Sequence, residues 1–243
     1  MASRATFLLI PCSQSIRHNF RLCAIDPTLG QSTTQSSPEV RQAVPVIALI
    51  GGVGSGKSAL ARWVSQHLNT VIVDGDVAGH RALEQPHVKE LIRRRFGDEV
   101  FDLQERIRRD CLARLVFGQD EEHRLARHDL EQIVHPVIRG GLQKQVTTAR
   151  SDAAVDVVLL DAAVLLEAGW NDICHAVVFV DTPIAQRQSR VAGRGWTPAD
   201  LERRESSQLP LTEKRAAADF VIDNSGSLDN AGRQLLDILK QFP

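Results

Sequence analysis

Apolar runs of strand length recur along the chain, and most of them end in an aspartate. They cover residues 46–50, 70–74, 155–161, 175–181 and 220–223. Near-continuous apolar runs are typical of parallel strands that are buried on both faces. Apolar residues at helical spacing follow the first run. A helix that connects two strands through short loops forms a βαβ unit, in which the strands are parallel. The pattern therefore predicts an α/β fold with a central parallel sheet and a closing amphipathic helix over residues 228–242.

A long helical region separates the second and third predicted strands. Its amphipathic segments, with no strand pattern among them, are residues 86–96, 106–117, 120–135 and 136–150. Inserted between two strands of a parallel sheet, this region would lie over the crevice at the carboxyl ends of the strands, where ligands bind in such folds. Its basic residues are a solvated face by default, although one or two could clamp an anionic substrate.

The turn after the first strand carries the strongest chemical signal. Residues 51–58 read GGVGSGKS, which fits the G-x-x-x-x-G-K-[ST] pattern of a P-loop and has the required strand before it and helix after it. Glycines allow successive N–H groups to converge on one anion, and the helix that begins near Lys57 directs its positive end there. A glycine-rich turn that binds nothing is the alternative, which these flanks disfavour.

We therefore expect the turn to bind ATP, with Lys57 reaching the β and γ phosphates and the Ser58 hydroxyl ligating Mg²⁺. The candidate nucleotide-binding residues are Gly51, Gly52, Val53, Gly54, Ser55, Gly56, Lys57, Ser58 and Ala59.

Aspartates follow two of the predicted strands. Asp74 and Asp76 come at the end of the second strand, and Asp161 ends the third. One of the first two is expected to cap the next helix and one to have a catalytic role, since both would face the phosphates. Asp161 is either a second ligand of the magnesium ion or a cap.

Residues 184–217 are dense in arginine, and Gly193 and Gly195 flank Arg194. This composition is typical of a mobile basic lid. Such a lid neutralises charge on a transferring phosphoryl group and excludes water. A pair of exposed helices held by salt bridges is the alternative, because acidic residues are interspersed. Arg190 and Arg194 are four residues apart and would share a helix face, which favours the lid.

Composition limits the partners. The net charge of −1 gives no global basic field for nucleic acid. No apolar run is long enough to cross a bilayer. The four cysteines, Cys12, Cys23, Cys111 and Cys174, have neither zinc-ligand nor disulfide-framework spacing, which fits a reducing compartment. We expect a cytoplasmic protein with no nucleic acid and no membrane as partner, and the sequence leaves protein partners open.

Residues 1–44 differ from the rest, with arginine, serine and threonine and no acidic residue before Asp26. The composition is transit-peptide-like, but a poorly ordered extension is favoured and a misassigned start also stays open. Residues 45–243 would form one domain, with its parts assigned as a core of 45–76, 151–183 and 218–243, a helical substrate subdomain of 77–150 and a lid of 184–217.

Residues 46–242 resemble dephospho-coenzyme A kinase, the family that phosphorylates the 3'-hydroxyl of the adenosine ribose in the last step of coenzyme A synthesis. The shared motifs are spread along the chain, at 51–58, 73–76 with His80, 96–97, Arg109 with 112–113 and 116–117, 133–136, Asp161 with 165–167, Arg190, Arg194, 208–211, 214–215, 218–219 and 221–224. The resemblance implies a P-loop NTPase-type three-layer fold, ATP and Mg²⁺ as cofactors, and dephospho-CoA as a small-molecule substrate.

The resemblance also implies roles for single residues. Asp76 matches the catalytic aspartate, and Arg190 and Arg194 match lid arginines that act with Lys57. His80, Arg109 and His135 match positions of the substrate-binding subdomain. Two features depart from the family: Ala162-Ala163-Val164 stands where a proline is usual, and the spacing around Arg187 is one residue longer.

Two other functions stay open at this point. Another small P-loop kinase could act on a nucleotide or a small hydroxyl metabolite. A nucleotide-dependent switch is the other, because Asp76 to Gly79 fits the D-x-x-G spelling, although the sequence has no N-K-x-D motif to read guanine.

Overall fold

The structure is a computed structural model that describes residues 43–118 and 120–242. The predicted extension of residues 1–44 therefore lies almost entirely outside the described residues. The strands are β1 (Val46–Ile50), β2 (Thr70–Asp74), β3 (Val157–Asp161), β4 (Ala176–Asp181) and β5 (Phe220–Asp223). The α-helices are α1 (Lys57–Val64), α2 (Gly75–Leu83), α3 (Pro86–Phe96), α4 (Arg109–Val116), α5 (Glu121–Ser151), α6 (Ile184–Ala192), α7 (Pro198–Glu205), α8 (Leu211–Ala216) and α9 (Leu228–Leu239).

The five strands form one parallel sheet in the order β2-β3-β1-β4-β5. Alternate residues of β1 point to opposite faces, so Ala48 packs in the core layer with α2 and α5, and Leu49 packs in the layer with α1 and α9. Helices on both faces of a parallel sheet make the three-layer α/β fold that the sequence predicts. Register pairs Asp74 with Asp161 and Leu49 with Asp161, which brings the carboxyl ends of β1, β2 and β3 together.

The helical region contains one long helix where the sequence pattern predicts two. α5 runs from Glu121 to Ser151 and includes Pro136. A proline inside a helix removes one hydrogen bond, but the helix on both sides of Pro136 is held by burial of Ala126, Ile138 and Leu142. The predicted break between residues 135 and 136 is therefore wrong, because packing outweighs the local preference.

Two other predicted boundaries also move. α4 begins at Arg109 rather than at residue 106, since Ile107 forms an antiparallel bridge with Phe101 in the preceding turn. α6 ends at Ala192, and Gly193 follows as its cap. The prediction that Arg190 and Arg194 share a helix face is therefore wrong, since Arg194 lies in the connection to α7.

Candidate active site

The P-loop joins β1 to α1 with a backbone that only glycine accommodates at two points. Gly56 has φ 95° and is the N-cap of α1. A Cβ atom on Gly51 would lie 2.7 Å from the carbonyl oxygen of Val180 on the neighbouring strand. The loop therefore curls tightly against the sheet, and the first N–H groups of α1 point into the curl.

Lys57 lies buried inside this curl. Its Nζ donates hydrogen bonds to the carbonyl oxygens of Gly51 and Gly52, both at 3.2 Å, and to Ser55 Oγ at 3.4 Å. Burial lowers the pKa of Lys57, and the negative charge of Asp161 is the main opposing influence. An ammonium group held only by loop oxygens can turn to a stronger anionic partner such as a phosphate.

Ser58 and Asp161 meet beside the loop. The Ser58 hydroxyl donates a hydrogen bond to Asp161 Oδ2 from the first turn of α1. Burial raises the pKa of Asp161, and the hydrogen bond from Ser58 opposes that rise. The sequence predicts both residues as ligands of one magnesium ion, and in the structure their side chains are in direct contact.

This donor set fits Mg²⁺, which prefers oxygen ligands and takes one or two protein ligands together with water and substrate phosphates. Among residues 43–118 and 120–242, no group of three or more His, Cys, Asp or Glu side chains could hold a metal ion. A Ser58–Asp161 pair beside a phosphate site does not need such a cage.

Asp74 and Asp76 have different surroundings. Asp74 Oδ1 accepts a hydrogen bond of 3.0 Å from the N–H of Val77 and so caps α2, as expected of one of the pair. Asp76 is exposed in the first turn of α2 and lines the same cleft as Lys57 and Asp161. Its negative charge acts to raise the pKa of both Lys57 and Asp161.

The cleft over the P-loop has a volume of about 770 Å³. Its floor is the loop with Asp76 and Asp161. One group of lining residues, Arg114, Phe117 and Arg127, comes from α4, the residue after it, and α5. A second group, Arg194, Trp196, Arg203 and Arg204, comes from the segment between α6 and α8. The guanidinium of Arg204 lies over the Trp196 ring, with Cζ 4.0 Å from the ring centroid. Arginines from two segments in one cleft with a phosphate loop suit a ligand with several negative charges.

Seven residues singled out from the sequence do not line this cleft: Gly51, Gly52 and Ser55 of the P-loop, and Arg190, His80, Arg109 and His135 outside it. Arg190 lies behind the P-loop, where its Nη1 donates to the carbonyl oxygen of Ser55 at 2.9 Å. His80 and Arg109 are exposed on α2 and α4. His135 packs edge-on against Trp170 with ring centroids 5.5 Å apart, and burial lowers its pKa. Their predicted roles stay predictions.

Sequence reasoning missed the groups that hold the loop from behind. The carbonyl oxygen of Ser55 accepts hydrogen bonds from Thr182 Oγ1 at 2.8 Å and Asn224 Nδ2 at 2.7 Å in addition to that from Arg190. Thr182 follows the end of β4 and Asn224 follows the end of β5. A polar residue directly after a predicted parallel strand is the signal that could have found them, since those ends face the loop.

Comparison with known proteins decides the family. The family model described as dephospho-CoA kinase matches residues 45–230. The chain belongs to the dephospho-CoA kinase family. A dephospho-CoA kinase from Corynebacterium diphtheriae is 34% identical over 200 residues, which cover 81% of this chain and 96% of that protein.

Solved structures share the fold of this chain. A protein from Thermus thermophilus has a TM-score of 0.69 and 30% identity, covering 83% of this chain and all of the other. A dephospho-CoA kinase from Campylobacter jejuni has a TM-score of 0.58 with 19% identity, covering 81% and 96% of the two chains, and supports the fold. Dephospho-CoA kinases are transferases that phosphorylate dephospho-CoA with ATP, so the open alternatives of a different small kinase and of a nucleotide switch are set aside.

Proposed function

We propose that this chain transfers the γ-phosphoryl group of ATP to the 3'-hydroxyl of the ribose of dephospho-CoA, giving coenzyme A and ADP. The observation that carries the proposal is the placement of Asp76 and Lys57 on one cleft, above a P-loop, in a chain of the dephospho-CoA kinase family. A carboxylate for the acceptor hydroxyl and a cation for the phosphates are the two groups that this reaction needs closest to the transferring phosphoryl group.

In this proposal the P-loop binds the phosphates of ATP. Lys57 turns from the loop oxygens to the β and γ phosphates, and the N–H groups at the start of α1 surround them. The hydrogen bonds at the carbonyl of Ser55 keep the loop in its curled form before ATP arrives. A preformed loop lowers the ordering cost of binding.

Ser58 and Asp161 would hold a Mg²⁺ ion, which neutralises phosphate charge when it is bound. The Ser58 hydroxyl and the Asp161 carboxylate already contact each other, so binding a shared ion would need little rearrangement of either side chain. Burial lowers the pKa of Lys57, and the negative charge of Asp161 opposes that change.

Asp76 would accept a hydrogen bond from the 3'-hydroxyl, orient it for in-line attack and take its proton. Because the transition state is loose, orientation and charge neutralisation supply most of the rate. Three arginines that line the cleft would neutralise the phosphates of ATP and of the acceptor. They are Arg194 from the lid, Arg114 from α4 and Arg127 from α5.

The remaining roles that the resemblance implies are also proposals. Arg190 acts with Arg194 as a lid arginine, and His80, Arg109 and His135 belong to the surroundings of the acceptor.

No helix in the described residues has the length and apolar character to cross a membrane. We propose that the protein works in the cytoplasm on this small-molecule substrate.

Substitution of Asp76 tests the proposal. Asp76→Asn keeps the shape of the side chain and removes its basicity, so we expect turnover to fall by about 10²–10⁴-fold while ATP binding stays unchanged. Calorimetric titration with ATP and steady-state formation of coenzyme A measure the two quantities.

Asp74→Asn is the matched control, since asparagine caps a helix as well as aspartate does. We expect this variant to turn over within about threefold of the wild type, since the cap is kept. Near-full turnover of Asp76→Asn would contradict the role of Asp76.

A further inference from the structure

Glu205, the last residue of α7, accepts hydrogen bonds from the P-loop and from α6. Its Oε1 accepts a hydrogen bond of 3.0 Å from the N–H of Val53 in the P-loop. The same oxygen accepts a hydrogen bond from Nη1 of Arg187 on α6. One carboxylate therefore connects α7, α6 and the P-loop.

Arg187 is 5% exposed, and its other contacts are also with backbone around the loop. Its Nε donates to the carbonyl oxygen of Thr182 at 3.2 Å, and its Nη1 lies 3.5 Å from the carbonyl oxygen of Val53. A guanidinium with this burial needs a negative partner, and Glu205 supplies it. Val53 is thus held at both its N–H and its carbonyl by the Arg187–Glu205 pair.

The pair fits closely against the loop. A Cβ atom built on Gly52 would lie 2.8 Å from Arg187 Nη1 and 2.9 Å from Glu205 Oε1. The charged groups therefore occupy the space next to the loop backbone that any other residue at position 52 would fill.

The rest of α7 contributes one buried side chain and contacts near its own surface. Leu201 is its one buried residue, and the Arg203–Asp200 ion pair lies within the helix at the surface. Arg203 and Arg204 directly precede Glu205 and line the cleft, and Arg204 also holds Trp196. The position of these cleft-lining groups therefore depends on where the end of α7 is fastened.

We propose that Glu205 is a positioning residue that, through Arg187 and the Val53 N–H, fastens the basic end of α7 to the P-loop and fixes its arginines beside the phosphates. The contact is at Val53, while Lys57 and the N–H groups at the start of α1 remain available to ATP. The catalytic part of the inference rests on the proposed kinase function. Its structural part does not.

Two variants with one control test this role. Glu205→Gln keeps the acceptor for Val53 and removes the charge that Arg187 needs. The Arg187→Met and Glu205→Leu double variant removes the pair while keeping the site filled, which avoids leaving a buried charge alone if the single variant fails to fold. Glu202→Gln makes the same charge change on the exposed side of α7 and is the control.

The first readout is tryptic cleavage after Arg203 and Arg204, followed by mass spectrometry without any ligand. Cleavage of a helix reports how often it opens. We expect Glu205→Gln and the double variant to be cut there about tenfold faster than Glu202→Gln, the change that a 1.4 kcal/mol shift in the opening equilibrium produces.

The second readout is steady-state kinetics with ATP and dephospho-CoA. We expect kcat to fall about tenfold in both variants while the KM for ATP changes less than about threefold, because Lys57 and the N–H groups at the start of α1 are unchanged. Unchanged cleavage rates would overturn the proposal, and so would faster cleavage with unchanged kcat, which marks a purely structural pair. If the wild type has no acceptor-dependent activity, the proposed function fails, and the cleavage rates alone decide whether Glu205 fastens α7.

Discussion

At the residue scale, the central group is the buried ammonium of Lys57. It has no carboxylate within hydrogen-bond distance among the described residues, and its three partners are oxygens of its own loop. Burial lowers its pKa, so a bound phosphate would relieve an unfavourable environment and strengthen the protonated form. The residue is therefore arranged to favour an anionic ligand at this place.

Replacement of Lys57 should cost more activity than replacement of a lid arginine. Lys57→Met keeps the apolar stem and loses the charge, and we expect kcat/KM to fall about 10³-fold, against about tenfold for Arg194→Ala, which is exposed and has neighbours of the same charge. Initial-rate kinetics with dephospho-CoA measure both values. Equal losses in the two variants would contradict the central place of Lys57, provided that circular dichroism shows both to be folded.

Much of the site at this scale could be predicted from sequence because it is local. The P-loop spelling locates Lys57 and Ser58, and strand ends locate Asp76 and Asp161. Glu205 and Asn224 could not be assigned their contacts, since each meets the loop across more than a hundred residues of chain. Which of many surface carboxylates and amides turns inward is decided by tertiary packing.

At the scale of elements, α5 shows how packing overrides a local signal. Proline at position 136 predicts a helix boundary, yet the helix continues for a further fifteen residues to Ser151. Residues before the proline pack with the α3 and α4 cluster, and residues after it pack on the sheet layer. One continuous helix thus connects the helical subdomain to the core.

Removal of this proline should stabilise the protein. Pro136 is exposed, so Pro136→Ala removes little buried surface, restores a backbone N–H donor in the helix and gains helix propensity. We expect the free energy of unfolding to rise by about 1 kcal/mol, less than the full propensity difference of about 3 kcal/mol because the helix has adapted to the proline. Urea denaturation followed by circular dichroism measures the change. A lower free energy of unfolding would show that the helix needs the proline.

At the scale of the whole molecule, a buried ion pair connects the end of the lid segment to the turn after β3. Lys214 Nζ lies 2.8 Å from Glu167 Oε1 and also donates to the carbonyl oxygen of Ala163 at 2.7 Å. The side chain of Lys214 is 1% exposed. Glu167 Oε1 accepts a further hydrogen bond from the N–H of Leu209.

Loss of this lysine should destabilise the fold strongly. Lys214→Met leaves Glu167 without its counter-charge in a largely buried place, and we expect the free energy of unfolding to fall by about 3 kcal/mol. Addition of Glu167→Gln removes that charge, keeps an acceptor for Leu209 and should recover at least half of the loss. Denaturant titration of the two single variants and the double variant gives the coupling. Simple addition of the two single losses would contradict the account of the pair.

The sheet could be predicted well at this scale, and the arrangement of its insertions could not. Apolar runs, four of which end in aspartate, located all five strands, because each buried parallel strand carries its own run of apolar residues. The course of residues 184–217 depends on distant partners such as Val53 for Glu205 and Ala163 for Lys214. No local pattern records those contacts.

The measurement that tests the central claim most directly is ADP release by the purified protein with magnesium and ATP, with and without dephospho-CoA, using Lys57→Met as the blank. We expect ADP only when dephospho-CoA is present, one coenzyme A for each ADP, and no signal from the blank. ADP release that ignores dephospho-CoA, or that depends instead on another hydroxyl compound in a substrate panel, would contradict it.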